Sequence, residues 1–105
     1  SGLKISMDSI WERSNAWLSS ITFDKQIFSN ARDNVRSSLE RENIESRFIW
    51  KPLHLQPVFA SCQTILTGVS EEIFNTSLCI PSSHTLSRND LARICNTIKK
   101  SLKGV

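Results

Sequence analysis

The sequence predicts an α/β (α+β) domain in which a small antiparallel or mixed sheet of about three strands packs against two main helices. Three observations favour this fold class. A strand-like stretch, a long amphipathic stretch and a second strand-like stretch follow one another within about 35 residues. A short apolar run stopped by a proline predicts a third, brief strand. A second amphipathic stretch near the end of the chain predicts the second main helix.

Length, composition and charge narrow the class of protein. The 105 residues suit one domain spanning residues 1–105, and an apolar content of 39% is enough for a single packed core. Residues 1–13 are expected to form an irregular lead-in, in which Ser1 and Gly2 are treated as a cloning remnant. The formal net charge of +3 is small, and the positive residues are dispersed except at residues 99–103, so we expect neither a nucleic-acid nor a membrane partner.

The cysteines and the apolar runs predict a soluble, cytoplasmic protein. Cys62, Cys79 and Cys95 are odd in number and include no C-x-x-C pair, so neither a disulfide framework nor a metal site is expected. Reduced thiols in the cytosol are the simpler interpretation. No apolar stretch approaches the roughly 20 residues that span a bilayer, and the N-terminus lacks the apolar run of a signal peptide.

The first strand is predicted at residues 16–23, AWLSSITF. β-branched and aromatic residues are frequent here, and an extended chain would place Trp17, Ile21 and Phe23 on one side. Asp24 follows directly, and its carboxylate can accept hydrogen bonds from the free N–H groups at the start of a helix.

An amphipathic helix is predicted from about residue 25 to residue 42, because apolar residues recur four positions apart opposite a polar face. The apolar stripe consists of Ile27, Ala31, Val35 and Leu39. Asn43 can adopt the left-handed conformation that ends a helix. Residues 45–50 then alternate well enough to predict the second strand.

The second half of the chain predicts a loop at residues 60–69 ending at Gly68, a short helical turn that starts at Ser70, and the third strand at residues 77–81. The C-terminal helix is then predicted from a capping-box pattern and an apolar stripe. The cap is formed by Ser87 and Asp90, the stripe by Leu91, Ile94, Cys95, Ile98 and Leu102, and the end by Gly104. Its place on the stripe makes Cys95 a predicted core residue.

Residues 50–59, WKPLHLQPVF, concentrate functional side chains in a segment with two prolines. Pro52 and Pro57 lack a backbone donor and fix their own φ, which excludes a central strand. Each also favours extended geometry in the residue before it. We therefore predict a stiff extended loop that presents its side chains at low entropic cost.

Two interpretations of this loop remain open from spacing alone. Arg47, Lys51 and His54 lie within eight positions beside Trp50. Arginine offers a bidentate fork, lysine a point charge and tryptophan a stacking face, a set that suits a phosphate or a nucleotide sugar. The other interpretation is an ordinary proline-rich connection whose tryptophan fills the core.

Other catalytic patterns are absent from the sequence. There is no G-x-S-x-G, and His84 lies in the turn sequence SSHTLS, where a solvated side chain is expected. The glycines, Gly2, Gly68 and Gly104, are too few and too scattered for a dinucleotide or P-loop phosphate site. These patterns therefore predict neither a hydrolase site nor a Gly-rich phosphate site.

The loop sequence resembles that of a known family. SRFIWKPLHLQPVF at residues 46–59 is similar to the C-terminal signature, usually written SRPLWKPMHLQPVF, of DegT/StrS-type pyridoxal-phosphate-dependent sugar aminotransferases. Four further segments resemble the family in the expected order. They are SNAWLSSITF (14–23), RSSLERENIESR (36–47), GVSEEIFNTSLCIPS (68–82) and LSRNDLARICNTIKK (86–100). The chain departs from the family pattern at Ala16, Phe48 and Ser77, where Arg, Pro and Gly are common.

The resemblance implies a role in an enzyme larger than this chain. It implies the C-terminal small domain of a fold type I aminotransferase, with the Schiff-base lysine and the pyridoxal phosphate contacts in a large domain that precedes this region. The parent enzyme would transfer an amino group to a UDP-linked keto sugar for polysaccharide precursors, as a homodimer. No lysine here, Lys51 included, is expected to bind the cofactor, and the resemblance therefore implies no catalytic residue in this chain.

The resemblance also implies roles for individual residues. Substrate-side contacts are expected from Arg47, Trp50, Lys51 and His54. Pro52, Gln56 and Pro57 are expected to shape the loop, with Gln56 bonding to backbone. The fragment alone is expected to be inactive and to self-associate through an apolar face that the large domain would cover. A free-standing module that binds nucleotide sugars or a partner, and a degenerate product without activity, are the alternatives.

Overall fold

A computed structural model describes residues 2–5 and 9–103. It contains four strands and three α-helices, which confirms the predicted fold class and adds one strand. In chain order these are β1 (Leu3–Ile5), β2 (Ser19–Phe23), α1 (Ala31–Arg41), β3 (Arg47–Phe48), α2 (Val69–Thr76), β4 (Ser77–Ile80) and α3 (Arg88–Lys103). Ser1 and Gly104, to which the sequence analysis gave roles, lie outside the described residues.

The strands form one antiparallel sheet in the order β1-β2-β4-β3. The last strand in the chain, β4, therefore lies between β2 and β3. Ile21 of β2 and Phe48 of β3 both stand opposite Leu78 of β4. Opposite residues share a face, so these apolar side chains lie on the same side of the sheet.

The core lies between this apolar face and the helices α1 and α3. Alternation along β2 points Ile21 and Phe23 into it, and both side chains are buried. The two helices pack against each other, and α1 also contacts β4. The buried residues that form the core cluster are Ile21, Phe23, Ala31, Val35, Leu39, Ile44, Leu78, Ile94 and Ile98. Three members of the predicted stripe of α1 are thus confirmed as core.

The start of α1 was predicted wrongly. The helix begins at Ala31 and not near residue 25, because Asn30 has a left-handed backbone with φ of 55° that breaks the helical path. Asp24 instead organises a separate turn, in which its carboxylate accepts a hydrogen bond from the Gln26 amide at 2.9 Å. Ile27 falls in this turn and is 57% exposed, so it lies outside the core.

The end of α1 agrees with the sequence. Asn43 has φ of 55°, and its amide donates to the Glu40 carbonyl at 3.0 Å. The Ile44 amide donates to the Leu39 carbonyl at 2.9 Å. This pair of bonds is a Schellman motif, and the burial of Ile44 beside Leu39 supplies its usual apolar contact.

The lead-in was also predicted wrongly in part. Within residues 1–13, Leu3–Ile5 form an edge strand on β2, and the Gly2 carbonyl accepts a hydrogen bond from the Asp24 amide at 2.8 Å. Short edge strands carry weak sequence signals because one side has no partner. Trp17 precedes β2 and is 65% exposed, so it does not share the buried face of Ile21.

The C-terminal helix α3 starts at the predicted capping box. The Asp90 amide donates to the Ser87 hydroxyl at 3.1 Å, and the Ser87 amide donates to the Asp90 carboxylate at 2.9 Å. Hydrogen bonds from the Ser87 hydroxyl and amide lower the pKa of Asp90. Ile94 and Ile98 face the core, but Cys95 is exposed, because it lies beside the stripe and not within it. Among the helices described, none has the length and apolar character to cross a bilayer.

Candidate functional site

The segment from Trp50 to Phe59 is compact, which corrects the prediction of an extended loop. It forms two 3₁₀ turns, Leu53–Leu55 and Pro57–Phe59. Proline at the first position of a turn needs no backbone donor, and its fixed φ suits a helical start, so Pro57 initiates the second turn. The segment forms no strand, as expected; Pro57 begins the second turn, and Pro52 directly precedes the first.

Backbone and side-chain hydrogen bonds hold the two turns together. The Leu55 amide donates to the Pro52 carbonyl at 3.0 Å, and Pro52 itself is buried. The Gln56 side-chain amide donates to the Lys51 carbonyl at 2.9 Å. This bond ties the end of the first turn to the residue before it, and it is the kind of contact that a loop-shaping glutamine makes.

His54 is anchored to α2. Its Nε2 lies 2.6 Å from Glu71 Oε1, and the histidine side chain is 14% exposed. Glu71 belongs to the first turn of α2, where a carboxylate is also favoured by the helix dipole. Sequence reasoning missed this partner, although an acidic helix start after a long loop is a signal that could have indicated it.

The other predicted site residues are more open to solvent. Trp50 is 76% exposed, and the Lys51 side chain is also exposed. Arg47 pairs with Glu45, its Nη2 lying 2.6 Å from Oε1. No hydrogen bond or ion pair joins the four predicted substrate contacts to one another in the described residues, so the structure does not bring them into one cluster.

Phe48 forms an aromatic contact with two arginines of α1. The guanidinium carbons of Arg32 and Arg36 lie 4.5 and 4.8 Å from its ring centroid. The ring of Phe74 meets it edge to face at 6.4 Å. Arg32 also donates from Nη1 to the Phe74 carbonyl at 2.9 Å. This cation–π arrangement connects α1, β3 and the end of α2, and nothing in the sequence spacing predicted it.

The described residues do not fit a pyridoxal phosphate site of their own. A Schiff-base lysine needs a desolvated amine with an acidic partner for the pyridine nitrogen in reach. Every lysine of the chain is exposed, and Lys25 is engaged with Glu72 at 2.9 Å. Within residues 2–5 and 9–103, no group of histidine, cysteine or carboxylate side chains could hold a metal. No step of amino transfer is therefore assigned to this chain.

Comparison with known proteins shows the family to which this chain is similar. The profile of the DegT/DnrJ/EryC1/StrS aminotransferase family matches residues 2–99. The chain belongs to this family. The predicted family is thereby confirmed, and it is a family of pyridoxal phosphate-dependent aminotransferases.

Three curated relatives are similar to this chain over part of their length. EpsN of Bacillus subtilis, assigned as a pyridoxal phosphate-dependent aminotransferase, is 33% identical over 81% of the chain. GDP-perosamine synthase of Vibrio cholerae is 31% identical over 79%. The UDP-N-acetyl-3-dehydro-α-D-glucosamine 3-aminotransferase of Acidithiobacillus ferrooxidans is 33% identical over 71%. The matched region is only 22%, 23% and 21% of these relatives.

Solved aminotransferases share the fold. TlmJ of Streptoalloteichus hindustanus superposes with a TM-score of 0.80 at 21% identity, over 98% of this chain and 27% of TlmJ. PseC of Helicobacter pylori, involved in pseudoaminic acid biosynthesis, gives 0.72 at 16% identity, over 84% of this chain and 24% of PseC. Spr1654 of Streptococcus pneumoniae, solved in its PMP form, gives 0.70 at 19% identity, over 83% and 22%.

Proposed function

We propose that this chain is the C-terminal small domain of a pyridoxal phosphate-dependent enzyme that transfers an amino group to a nucleotide-linked keto sugar. The observation that carries the proposal is the family match over residues 2–99. Two of the curated relatives are named for GDP- and UDP-linked sugars, which supports a nucleotide-sugar substrate. In this proposal the cofactor contacts belong to a separate large domain, because no lysine of the chain suits them.

The loop at residues 50–59 would contribute one wall of the substrate site. The exposed ring of Trp50 offers a stacking face for a base or sugar, and the free ammonium of Lys51 offers a charge for the diphosphate. His54 is held by Glu71, so its orientation is fixed before substrate arrives. Arg47 would reach substrate only by exchanging Glu45 for a phosphate oxygen.

A chimeric enzyme tests the assignment. This chain would replace the matched segment of the Acidithiobacillus ferrooxidans aminotransferase, and amino transfer to UDP-N-acetyl-3-dehydro-glucosamine would be measured. We expect an active chimera, and about a tenfold lower kcat/KM after Trp50→Ala because a stacking contact is lost. His84→Ala, in an exposed turn, is the matched control and should leave the rate unchanged.

Two results would count against the proposal. One is a folded, dimeric chimera without activity. The other is a lysine-dependent absorption band when pyridoxal phosphate is added to the isolated chain, because that band would place a Schiff-base lysine among its exposed amines.

A free-standing binding module is the second candidate function. It is favoured by the bonds of His54 to Glu71 and of Gln56 to Lys51, since these organise the loop within this chain alone. Calorimetric titration of the isolated chain with UDP-sugars separates the two candidates. Measurable affinity that disappears with Trp50→Ala and His54→Ala supports the module, and no heat supports the enzyme domain.

A further inference from the structure

A polar groove lies between α1 and α3 and is distinct from the loop at residues 50–59. Its volume is about 640 Å³, which is in the range of small-molecule sites. Arg41 and Glu42 line it from the end of α1, and Arg93, Asn96 and Lys100 line it from α3. Ala92 is the one lining residue with an apolar side chain, and the others carry polar or charged groups that can act as hydrogen-bond donors or acceptors.

Cations dominate the groove. Arg41, Arg93 and Lys100 line it with a single carboxylate, that of Glu42, among them. Across the part of the chain that the structure describes, none of the ion pairs includes any of these three cations. The nearby Asp90 is engaged in the capping box with Ser87. The charge of Asp90 also acts on Arg93, so the groove has three cations against the carboxylates of Glu42 and Asp90, a net excess of positive charge.

The two arginines are oriented by bonds that leave donors free. Arg41 donates from Nε to the Ser37 carbonyl at 3.3 Å and from Nη2 to the Ser38 hydroxyl at 3.4 Å. Arg93 donates from Nη2 to the Glu42 carbonyl at the end of α1. A guanidinium has five N–H donors, so each arginine retains several while its position is restrained.

A hydroxyl relay lies at the contact between the two helices. Arg41 Nη2 donates to Ser38 Oγ, and Ser38 Oγ donates to Ser101 Oγ at 3.2 Å. This direction leaves the hydrogen of the Ser101 hydroxyl available to a further acceptor. A donor that is itself hydrogen-bonded to a cation is polarised and becomes a stronger donor.

We propose that the groove between α1 and α3 binds the diphosphate group of a small molecule through Arg41, Arg93, Lys100 and the Ser101 hydroxyl. Guanidinium forks match pairs of phosphate oxygens, an ammonium adds a point charge, and a hydroxyl completes the set of donors. A diphosphate offers enough acceptors to engage donors from both helices, whereas one carboxylate offers only two oxygens. The site is independent of the function proposed for the loop.

The test is a titration of the full chain at constant ionic strength. Amide chemical shifts measured by NMR would locate the binding, and calorimetry would measure the affinity. Inorganic diphosphate and adenosine diphosphate are the two probes, and equal affinities would show that the phosphates carry the binding. A preference for adenosine diphosphate would show that a nucleoside contributes as well. We expect saturable shifts at the groove and affinity about fivefold to tenfold weaker after Lys100→Gln.

Lys99→Gln is the matched control, because it removes the same charge from the neighbouring position of α3, outside the groove lining. The affinity of the Lys99→Gln variant for diphosphate should remain within about twofold of the wild-type value, which is the change expected from long-range charge alone. Arg93→Lys keeps the charge but loses the fork, and it should weaken binding while circular dichroism shows an intact fold. Equal losses for Lys99→Gln and Lys100→Gln, or shifts that do not saturate, would overturn the proposal.

Discussion

His54 and Glu71 show how one side-chain hydrogen bond can hold a loop in place. The histidine is mostly buried and meets the carboxylate at 2.6 Å, whereas the neighbouring Glu72 is paired with the exposed Lys25. Adjacent residues of one helix turn therefore have different tasks. Glu71 restrains the segment that carries Trp50, and Glu72 forms an ordinary surface pair.

Glu71→Ala should loosen this loop. We expect faster amide hydrogen exchange at Leu55 and Gln56 and a loss of about 1 kcal/mol in the free energy of unfolding, because a charge-assisted bond to a part-buried histidine is lost. Native-state exchange measured by NMR and urea unfolding would check both.

Glu72→Ala is the control for that variant. It removes the same charge from the same turn. The ion pair lost with it is exposed and contributes only about 0.5 kcal/mol to the free energy of unfolding. Equal exchange rates in the two variants would show that the His54 contact does not hold the loop.

Asp90 gives the pH dependence that the cap of α3 should show. Its pKa is lowered from 3.8 in the folded state, so the folded state favours the carboxylate. Its stabilising contribution is present above pH 3.8 and is lost as the pH falls through the lowered folded value. Urea unfolding should show Asp90→Asn less stable than wild type at neutral pH, with the difference vanishing in strong acid.

Ser87→Ala tests the physical cause of that shift. The Ser87 hydroxyl donates to the Asp90 carboxylate at 2.7 Å, so its removal should raise the pKa of Asp90 towards 3.8. Carboxyl carbon shifts followed by NMR would measure it. An unchanged titration in this variant would contradict the assignment of the shift to Ser87.

Single residues also mark the limit of sequence reasoning about the site. Pro52 and Gln56 indicated a loop with a defined shape, because proline restricts the local backbone and a glutamine side chain can bond to it. The partner of His54 lies 17 positions away, and the arginines around Phe48 lie on α1, not on the strand that carries Phe48. Such contacts depend on tertiary packing; the acidic start of α2 is a weak local signal for Glu71, and no local pattern indicates the two arginines.

Among the elements, α1 is defined by left-handed residues at both ends. Asn30 precedes its first residue and Asn43 follows its last turn, each with φ of 55°. Asparagine tolerates this conformation better than other residues with a Cβ, but less well than glycine. The apolar stripe was predictable from period, whereas the start was not, because Ile27 continues that period beyond the break.

Substitutions at Asn43 should move stability in opposite directions. Asn43→Gly should stabilise the protein by about 0.5 kcal/mol, because it removes the left-handed penalty, and Asn43→Ala should destabilise it by about 1 kcal/mol. Urea unfolding measures both. Ser37→Ala, at an exposed helical position, is the control and should change stability little.

The whole molecule exposes several large apolar residues in the segment at residues 50–69. Trp50, Val58 and Ile65 are 76%, 75% and 96% exposed. A soluble monomer rarely presents such a series without a partner. In an intact family enzyme this segment is where we would place the contact with the proposed large domain.

The isolated chain should self-associate through this segment. Sedimentation velocity should show a concentration-dependent increase in mass, and Ile65→Ser should reduce it because an exposed apolar side chain is removed. Ile10→Ser removes a side chain that is 89% exposed outside the segment and is the matched control. A strict monomer at high concentration would show that the segment drives no association.

The fold class was predictable because period and turn chemistry are local signals. The sheet order was not, since nothing in the sequence of Ser77–Ile80 states that it pairs with both Ser19–Phe23 and Arg47–Phe48. Strand pairing depends on which apolar faces can be buried together. Leu78 is fully buried and pairs with Ile21 on one side and Phe48 on the other.

That position of β4 has a consequence for how the chain can be divided. β4, one of the two inner strands of the sheet, is encoded last, after an exposed stretch at residues 60–68 that belongs to no strand or helix. A cut in that stretch would leave β1, β2, β3 and α1 on one peptide and α2, β4 and α3 on the other. Neither peptide would hold a complete sheet or core, so each should stay unstructured until the other binds. Folding would then occur only when the two peptides associate, and the pair could be used to report that association.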